Sequence, residues 1–263
     1  MNSAEIKNKE TYLSTKIIEY YGSCEELQPP EETIVGIIKP ALSKLRMLDI
    51  GVGGGRTTHF LAPQVRSYTA IDYSEGMVEY CKAKFSGRFP DAKFLVGDAK
   101  DMSAFEEGSF DFILFSFNGI DYISMEGRVK VLQEVKRLLS PGGYFCFSTH
   151  NILPLKNLTI TSAIHFRLNI FAVLKKVLRR IKITRLNKEQ LAAARTGDFV
   201  YVNDGTHDFG LQHCFIRTSF QIRMLREAGF KSIRGFSLRT GKEFLNETDF
   251  CSAEDPWLYY LCN

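Results

Sequence analysis

The chain has 263 residues, of which 44% are hydrophobic and 24% are charged, and its formal net charge is +4. This length allows one sizeable hydrophobic core, and so small a charge does not by itself indicate nucleic acid or a membrane surface as the partner. The six cysteines include no C-x-x-C pair, which argues against a structural zinc site and favours reduced thiols in the cytoplasm.

Residues 1–45 are predicted to form helices before the first strand. The segment begins with polar residues and has no apolar signal core, and no apolar run in the chain reaches the length of a membrane span. One helix is expected to begin at Pro29, because Glu31 and Glu32 fall in its first turn and isoleucines follow at helical spacing.

A glycine-rich turn follows the first predicted strand. Asp49 precedes the turn, Gly51, Gly53 and Gly55 form it, and the residues after Arg56 can continue as a helix. Glycine allows positive φ and lets a ligand approach the main chain, while the start of a helix offers unpaired N–H groups. The pattern therefore predicts a cofactor site. Arg56 stands where the dinucleotide motif G-x-G-x-x-G has its third glycine, which counts against a nicotinamide cofactor.

Residues 46–149 alternate short apolar runs with helical patterns, which is typical of βαβ units and a parallel sheet. The second predicted strand ends at Asp72, and the third leads to Asp98. The fourth leads to a polar loop that contains Asn118 and Asp121. Because ligands bind at the carboxyl ends of the strands in such sheets, we expect these side chains around one site.

The fifth predicted strand ends in the polar run Ser148-Thr149-His150-Asn151. Its carboxyl end is expected at the same edge of the sheet, so His150 would lie near the reacting group. A histidine that titrates near neutral pH could accept a proton from a hydroxyl or an amine. The alternative is that His150 only hydrogen-bonds the main chain.

The order and spacing of these segments, together with the L-x-P-G-G turn at residues 139–143, resemble those of the class I S-adenosylmethionine-dependent methyltransferases. The resemblance implies an α/β fold with a Rossmann-like, seven-stranded, mostly parallel sheet in the order 3-2-1-4-5-7-6 and helices on both faces. It also implies a single domain over residues 1–263. The implied cofactor is S-adenosyl-L-methionine, with S-adenosyl-L-homocysteine as the product.

The resemblance assigns a role to individual residues. It places Asp49 beside the methionine end of the cofactor, Asp72 at the ribose hydroxyls and Asp98 at the adenine. Met77 would lie at the adenine edge or in the core, and Tyr21 would lie over the reacting centre or in the core, since an aromatic face suits a cation. The implied cofactor-binding residues are Asp49, Gly51, Gly53, Gly55, Asp72, Tyr73, Met77, Asp98, Ala99 and Asn118. The residues expected to contact the acceptor are Tyr21, Asp121, Asp204 and His207, with His150 as the catalytic residue.

Residues 152–217 are predicted to form an insertion after the fifth strand. It contains a cationic amphipathic helix, in which apolar residues from Phe166 to Ile181 share one arc and arginines and lysines occupy the other. The cationic face is either simply solvated, or a lid over a phosphate-bearing or anionic acceptor, or a contact with an anionic membrane surface.

A polar loop, residues 203–210, lies between two short strand-like segments that are expected to pair as a hairpin. Asp204, His207 and Asp208 are residue types that bind metals. Their spacing matches no ligand pattern, and Asx turns explain the same composition, so we expect no metal and favour contact with the acceptor.

These features predict a cytoplasmic methyltransferase for a small-molecule acceptor, similar to uncharacterised bacterial members of the family. We expect methylation of a hydroxyl on a sugar or another metabolite. The alternatives are methylation of an amine, a non-catalytic binding module with this fold, and a nicotinamide-dependent oxidoreductase. Nucleic acid is not expected as a partner, because the cationic helix lacks interleaved stacking aromatics and no N-P-P-[YF] motif occurs.

Overall fold

A computed structural model describes residues 20–157 and 170–263 of the chain. The expectations for residues 1–19 and for Phe166 in the cationic helix lie outside these ranges. Among the described residues, no helix has both the length and the apolar character that are needed to cross a bilayer. The strands are β1 (Arg46–Ile50), β2 (Ser67–Asp72), β3 (Lys93–Val96), β4 (Phe110–Phe115), β5 (Leu139–Asn151), β6 (Phe199–Val202), β7 (His213–Ile216), β8 (Ile233–Ser237) and β9 (Trp257–Cys262). The α-helices are α1 (Pro29–Leu42), α2 (Thr58–Leu61), α3 (Glu75–Phe85), α4 (Met125–Leu138), α5 (Ile170–Leu186), α6 (Lys188–Ala193), α7 (Thr206–Phe209), α8 (Thr218–Glu227) and α9 (Glu247–Ser252), and 3₁₀ turns cover Gly119–Tyr122 and Leu153–Asn157.

The main sheet has the predicted topology. Strands β3, β2, β1, β4 and β5 lie side by side in that order and are parallel. Strand β9 pairs antiparallel with β5, and β8 pairs antiparallel with β9. Because β9 and β8 are the last two predicted strands, the order 3-2-1-4-5-7-6 is confirmed.

Strands β6 and β7 raise the number of strands from the predicted seven to nine. They pair antiparallel as the expected hairpin. Strand β5 continues beyond Phe147, which is the partner of the last residue of β4, and β7 pairs in parallel with its final residues, His150 and Asn151. The insertion is therefore attached to the strand that carries His150.

The core lies on both faces of the sheet, as the period-two alternation of strand side chains requires. In β4, Phe112 and Leu114 belong to one apolar cluster and Ile113 and Phe115 to the other. The first cluster includes buried residues of α1 and α3, and the second includes those of α4 and α8. The helices thus cover both faces, as predicted.

Serine side chains cap the first turns of helices α3 and α4. The Oγ of Ser74 accepts the main-chain N–H of Met77 at 3.4 Å at the start of α3, and the Oγ of Ser124 accepts that of Gly127 at 3.2 Å at the start of α4. Each cap satisfies an N–H group that has no partner within its helix. The caps fix where each helix begins after a strand and so set the shape of the loops at the carboxyl edge.

Candidate cofactor and acceptor site

A cavity lies at the carboxyl ends of β1, β2 and β4, where the sequence predicts the cofactor. Most of the predicted cofactor residues line it, namely Asp49, Gly51, Gly53, Asp72, Tyr73, Met77, Asp98 and Ala99. Tyr21, from the segment before α1, also lines the cavity. The lining does not include Gly55, Asn118, Asp121 or His150, which lie elsewhere in the fold.

Asp49 is a buried carboxylate in the cavity wall. Its Oδ2 accepts hydrogen bonds from the hydroxyls of Thr57 at 2.5 Å and Tyr68 at 2.6 Å. Burial raises the pKa of Asp49 to about 6, and the two hydrogen bonds oppose this shift. The side chain therefore changes its charge just below neutral pH.

Asp72 ties the glycine turn to the end of β2. Its Oδ2 accepts the N–H of Gly53 at 2.9 Å, and its Oδ1 accepts the N–H of Ser74 at 2.9 Å. Gly53 has φ +53°, and a Cβ there would meet nothing within 4 Å, so open space lies beside the main chain. This cradle leaves room for a ligand against the backbone, as the sequence pattern indicates.

Gly55 is a packing residue. It has φ +79°, and a Cβ there would lie 2.2 Å from the ring of Phe85 in α3. The helix α3 can approach the turn only because this position has no side chain. Gly55 therefore supports the shape of the turn without lining the cavity.

At the adenine end predicted by the resemblance, Asp98 and Ala99 follow β3. The carboxylate of Asp98 accepts the N–H of Lys100 at 2.9 Å, and its side chain is 53% exposed. Met77 is buried to 1% exposure and also lines the cavity, so it packs in the core and forms part of the wall.

An ion pair that the sequence pattern did not indicate lies beside the cavity, and Arg56 is part of the cavity lining. The two terminal nitrogens of Arg56 donate to the two carboxylate oxygens of Glu31, each at 2.6 Å, and Arg56 lies over the ring of Phe117 at 5.0 Å. Burial raises the pKa of Glu31, but Arg56 outweighs this and holds the pKa below its usual range. The pair fastens α1 to the glycine turn. The only sequence signal was an acid in the first turn of a helix.

His150 is held by Asp121, which is fully buried. One carboxylate oxygen of Asp121 accepts both the Nδ1–H and the main-chain N–H of His150, each at 2.7 Å. Its other oxygen accepts the hydroxyl of Thr149 at 2.5 Å and forms an ion pair with the buried Arg128. Burial raises the pKa of Asp121, but the hydrogen bond from His150 and the charge of Arg128 hold the pKa below its usual range.

This arrangement fixes the state of the imidazole. An ionised carboxylate only accepts hydrogen bonds, so Nδ1 carries the hydrogen, and Nε2 of the neutral ring has a lone pair. Asp121 was predicted to contact the acceptor, but it lies under His150 and orients that side chain. Asn118, which was expected at the cofactor, is 5% exposed, and its main-chain N–H donates to the Oγ of Ser148 at 2.8 Å.

The side chain of His150 is separated from the cavity by aromatic rings. Trp257 lies 5.7 Å from His150 and 6.5 Å from Phe117, which lines the cavity. Tyr122, another lining residue, lies 4.8 Å from His213, whose ring stacks on that of His150 at 5.1 Å. These distances join ring centroids. His150 and His213 therefore lie beside the cavity and outside its lining, and the region around their rings is named the second compartment.

The polar loop of the insertion belongs to this second compartment. Oδ2 of Asp204 lies 3.4 Å from Nδ1 of His213. The fold thus brings together the end of β5, the start of β7 and the loop between β6 and β7. The sequence singled out Asp204 and His150 separately and gave His213 no role. The side chains of His207 and Asp208 lie outside the part of the chain that the structure describes.

Comparisons with known proteins identify a methyltransferase domain in part of the chain. Residues 47–143 match a family model described as a methyltransferase domain. The probable phthiotriol/phenolphthiotriol dimycocerosates methyltransferase 2 of Mycobacterium ulcerans is 38% identical over 112 residues, which cover 41% of this chain and 40% of that protein. The fatty-acid O-methyltransferase of Mycolicibacterium smegmatis is 31% identical over 106 residues, which cover 39% of this chain and 36% of that protein. Residues 47–143 therefore form a methyltransferase domain, and the resemblance to the class I S-adenosylmethionine-dependent methyltransferases is confirmed over that part of the chain.

The fold is also that of solved methyltransferases. The crystal structure of 1,6-didemethyltoxoflavin-N1-methyltransferase from Burkholderia thailandensis, with S-adenosylhomocysteine bound, matches with a TM-score of 0.58 and 14% identity. The match covers 99% of this chain and 87% of that one. The chain spans less than half the length of the two relatives compared by sequence, so their acceptors are not transferred to it. The match over residues 47–143 bears out the predicted resemblance and favours a methyltransferase over a nicotinamide-dependent oxidoreductase.

The residues of the cavity fit S-adenosylmethionine. S-adenosylmethionine carries an ammonium group, which the carboxylate of Asp49 can bind. Its ribose hydroxyls can donate hydrogen bonds to the carboxylate of Asp72. The open space beside Gly53 lets the ligand approach the main chain. Asp49, Gly53 and Asp72 would therefore hold the cofactor in this methyltransferase.

We expect cofactor affinity to fall as the pH drops below about 6. The pKa of Asp49 is raised to about 6, so its carboxylate is ionised above that pH and loses its attraction for an ammonium group below it. Calorimetric titration with S-adenosylhomocysteine should show binding about tenfold weaker at pH 5 than at pH 7, as the linkage of one proton requires. The control is Asp49→Asn, which should bind weakly without this pH dependence. The same pH dependence in the variant would contradict the assignment.

The two glycines of the turn should differ in their tolerance of alanine. Gly55→Ala should lower the free energy of unfolding by about 2–5 kcal/mol, because the left-handed backbone and the clash with Phe85 both add to the cost. Gly53→Ala should cost only about 1–2 kcal/mol, from the backbone alone. Urea unfolding of both variants measures the difference, and equal losses would show that the contact with Phe85 is unimportant.

Proposed function

We propose that this protein transfers the methyl group of S-adenosylmethionine to a hydroxyl of a small-molecule acceptor that lies beside His150. The observation that carries this proposal is the imidazole that Asp121 holds through Nδ1 at 2.7 Å, at the carboxyl end of β5 and next to the cofactor cavity. In an open sheet of this kind, reacting groups lie at the carboxyl ends of the strands.

The cofactor, when bound, supplies a methyl group on a positively charged sulfur, which is already activated for displacement. The task left to the protein is to place the acceptor, to exclude water and to remove a proton. An acceptor hydroxyl beside Phe117, Tyr122 and Trp257 would lie between His150 and the methyl group, and their rings would shield it from water. Nε2 of His150 accepts the hydroxyl proton, and Asp121 stabilises the resulting imidazolium.

Arg128 and Thr149 are positioning residues in this mechanism. Nη1 of Arg128 also donates to Oε1 of Gln221 at 2.6 Å, which anchors the guanidinium inside the core. A buried charge that is paired and hydrogen-bonded on several sides stays in one place. The orientation of His150 is therefore set by α4, α8 and β5 together.

A hydroxyl suits this arrangement better than an amine. A neutral amine attacks with its own lone pair, whereas a hydroxyl gains much more from a base that removes its proton. The relative from Mycolicibacterium smegmatis is an O-methyltransferase by name. The solved structure from Burkholderia thailandensis is an N1-methyltransferase by name and keeps the amine as the second candidate.

Two features of the insertion bear on its predicted role as a lid. Nη2 of Arg179 donates to the carbonyl oxygen of Gly205 at 3.0 Å, and Nζ of Lys182 lies 4.0 Å from the centre of the Phe209 ring. Helix α5 thus uses two of its cations to hold the loop that carries Asp204. Leu178, which the sequence places on the apolar arc, is 57% exposed, so the arc is not wholly packed. We assign α5 to the support of the acceptor compartment.

The working compartment proposed for the protein is the cytoplasm. All six cysteines are unpaired, and four of them are buried among apolar residues. Thiols in this state are typical of a reducing compartment.

The test compares His150→Gln with His59→Gln, which is the matched control. His59 contacts Arg88 at 3.0 Å and belongs to neither compartment. Purified protein is assayed for S-adenosylhomocysteine release with sugars, phenols, hydroxy acids and primary amines, and the products are identified by mass spectrometry. We expect an O-methylated product. The kcat of His150→Gln should be lower by about 100-fold or more, because a general base is lost.

Binding of S-adenosylhomocysteine should be unchanged in both variants, because neither histidine lines the cofactor cavity. His59→Gln should keep the kcat of the natural sequence. Methylation of amines alone, or an unchanged kcat in His150→Gln, would refute the proposal.

A further inference from the structure

Three side chains that bind metals in other proteins meet in the second compartment. They are His150 at the end of β5, His213 at the start of β7 and Asp204 in the loop before α7. One nitrogen from each imidazole and one carboxylate oxygen of Asp204 all lie within 4.8 Å of one another. The ligands come from separate elements, so the whole fold, and not one local turn, forms the cluster.

His213 has polar atoms that nothing else in the described part of the chain satisfies. The residue is 2% exposed, and neither ring nitrogen has a hydrogen-bond partner among the described residues. Asp204 approaches Nδ1 only to 3.4 Å, which is longer than a good N–H···O bond. A buried polar group without a partner is costly and rare, so a missing ligand is the direct explanation.

His150 has the surroundings of a metal-binding histidine. Its Nδ1–H donates to Asp121 at 2.7 Å, and this carboxylate–histidine contact is the usual way in which a metal-ligating imidazole is oriented. The contact leaves Nε2, the other ligand atom, without a hydrogen bond among the described residues.

We propose that His150, His213 and Asp204 bind a divalent transition-metal ion. Two imidazoles and one carboxylate suit Zn²⁺, Co²⁺ or Fe²⁺ better than Mg²⁺, which prefers oxygen ligands. Ligand bonds of about 2.0–2.2 Å put the ligand atoms of one ion about 3–4 Å apart, so binding requires the cluster to contract by about 1–2 Å. Three protein ligands also leave a position for one further oxygen atom.

The inference rests on the proposed function only for its catalytic consequence. Nε2 of His150 can accept a proton or bind a metal, but not both at once. In the metal-loaded protein the three side chains would hold the ion, which would supply a Lewis acid that lowers the pKa of an acceptor hydroxyl. In the metal-free enzyme His150 itself would accept the proton, as proposed above.

The first experiment measures metal binding alone, without cofactor or acceptor. Full-length protein without an affinity tag is stripped with EDTA, dialysed and titrated calorimetrically with ZnCl₂, CoCl₂ and MgCl₂. We expect one Zn²⁺ or Co²⁺ per chain and no Mg²⁺ binding. The visible spectrum of the Co²⁺ complex should lack thiolate charge-transfer bands, because the cluster has no cysteine.

Substitutions at the proposed ligands test where the ion binds. His213→Gln and Asp204→Asn each remove one ligand, and we expect each to weaken Zn²⁺ binding by more than the 10–100-fold that loss of an outer-shell partner costs. His59→Gln is the matched control and should bind as the natural sequence does. Retained binding of S-adenosylhomocysteine shows that each variant is folded, since neither residue lines the cofactor cavity.

Two results would overturn the inference. One is the absence of 1:1 binding of Zn²⁺ or Co²⁺, and the other is binding that His213→Gln and Asp204→Asn leave unchanged. The proposed function fails separately, if neither the stripped nor the loaded protein methylates a hydroxyl. Metal binding and methyl transfer therefore have independent readouts.

Discussion

The structure depends on one fully buried carboxylate, that of Asp121. It lies where the loop after β4, the helix α4 and the strand β5 meet, and it is charged only because Arg128, Thr149 and His150 all direct donors at it. The cost of burying two opposite charges is several kcal/mol per ion and is offset only when geometry and hydrogen bonds are good. The buried carboxylate in turn fixes the orientation of His150, which an apolar contact could not do.

Strand β5 connects the Asp121 cluster to the strands on both of its edges. On one edge it pairs with β4, and beyond the end of β4 it pairs with β7, while β9 occupies the other edge. The cofactor cavity is built on the β1 and β2 side, and the second compartment is built on the extension of β5. The insertion thus extends the sheet at the end of β5 by the hairpin of β6 and β7.

Local chemistry explains which features could be predicted from the sequence. The glycine turn, the acids that end β2 and follow β3, and the serine caps of α3 and α4 are specified within a few residues, so they could be read directly. The hairpin was also predictable, because two short strands flank a polar loop. Glu31 with Arg56, and Asp121 with Arg128, could not be paired, since nothing in the periodicity of a helix shows which distant side chain it meets. His213 gave no signal because its strand is otherwise apolar and resembles core.

The region around His150 and the cavity differ in how well the fold satisfies their polar groups. In the cavity, the predicted carboxylates of Asp49, Asp72 and Asp98 all have hydrogen-bond partners in the fold. In the second compartment, His213 keeps two ring nitrogens away from water without a hydrogen bond to any described residue. A fold under selection for stability alone would replace such a side chain by an apolar one of similar size. Its presence beside an oriented imidazole therefore indicates a site that is completed by something the chain binds.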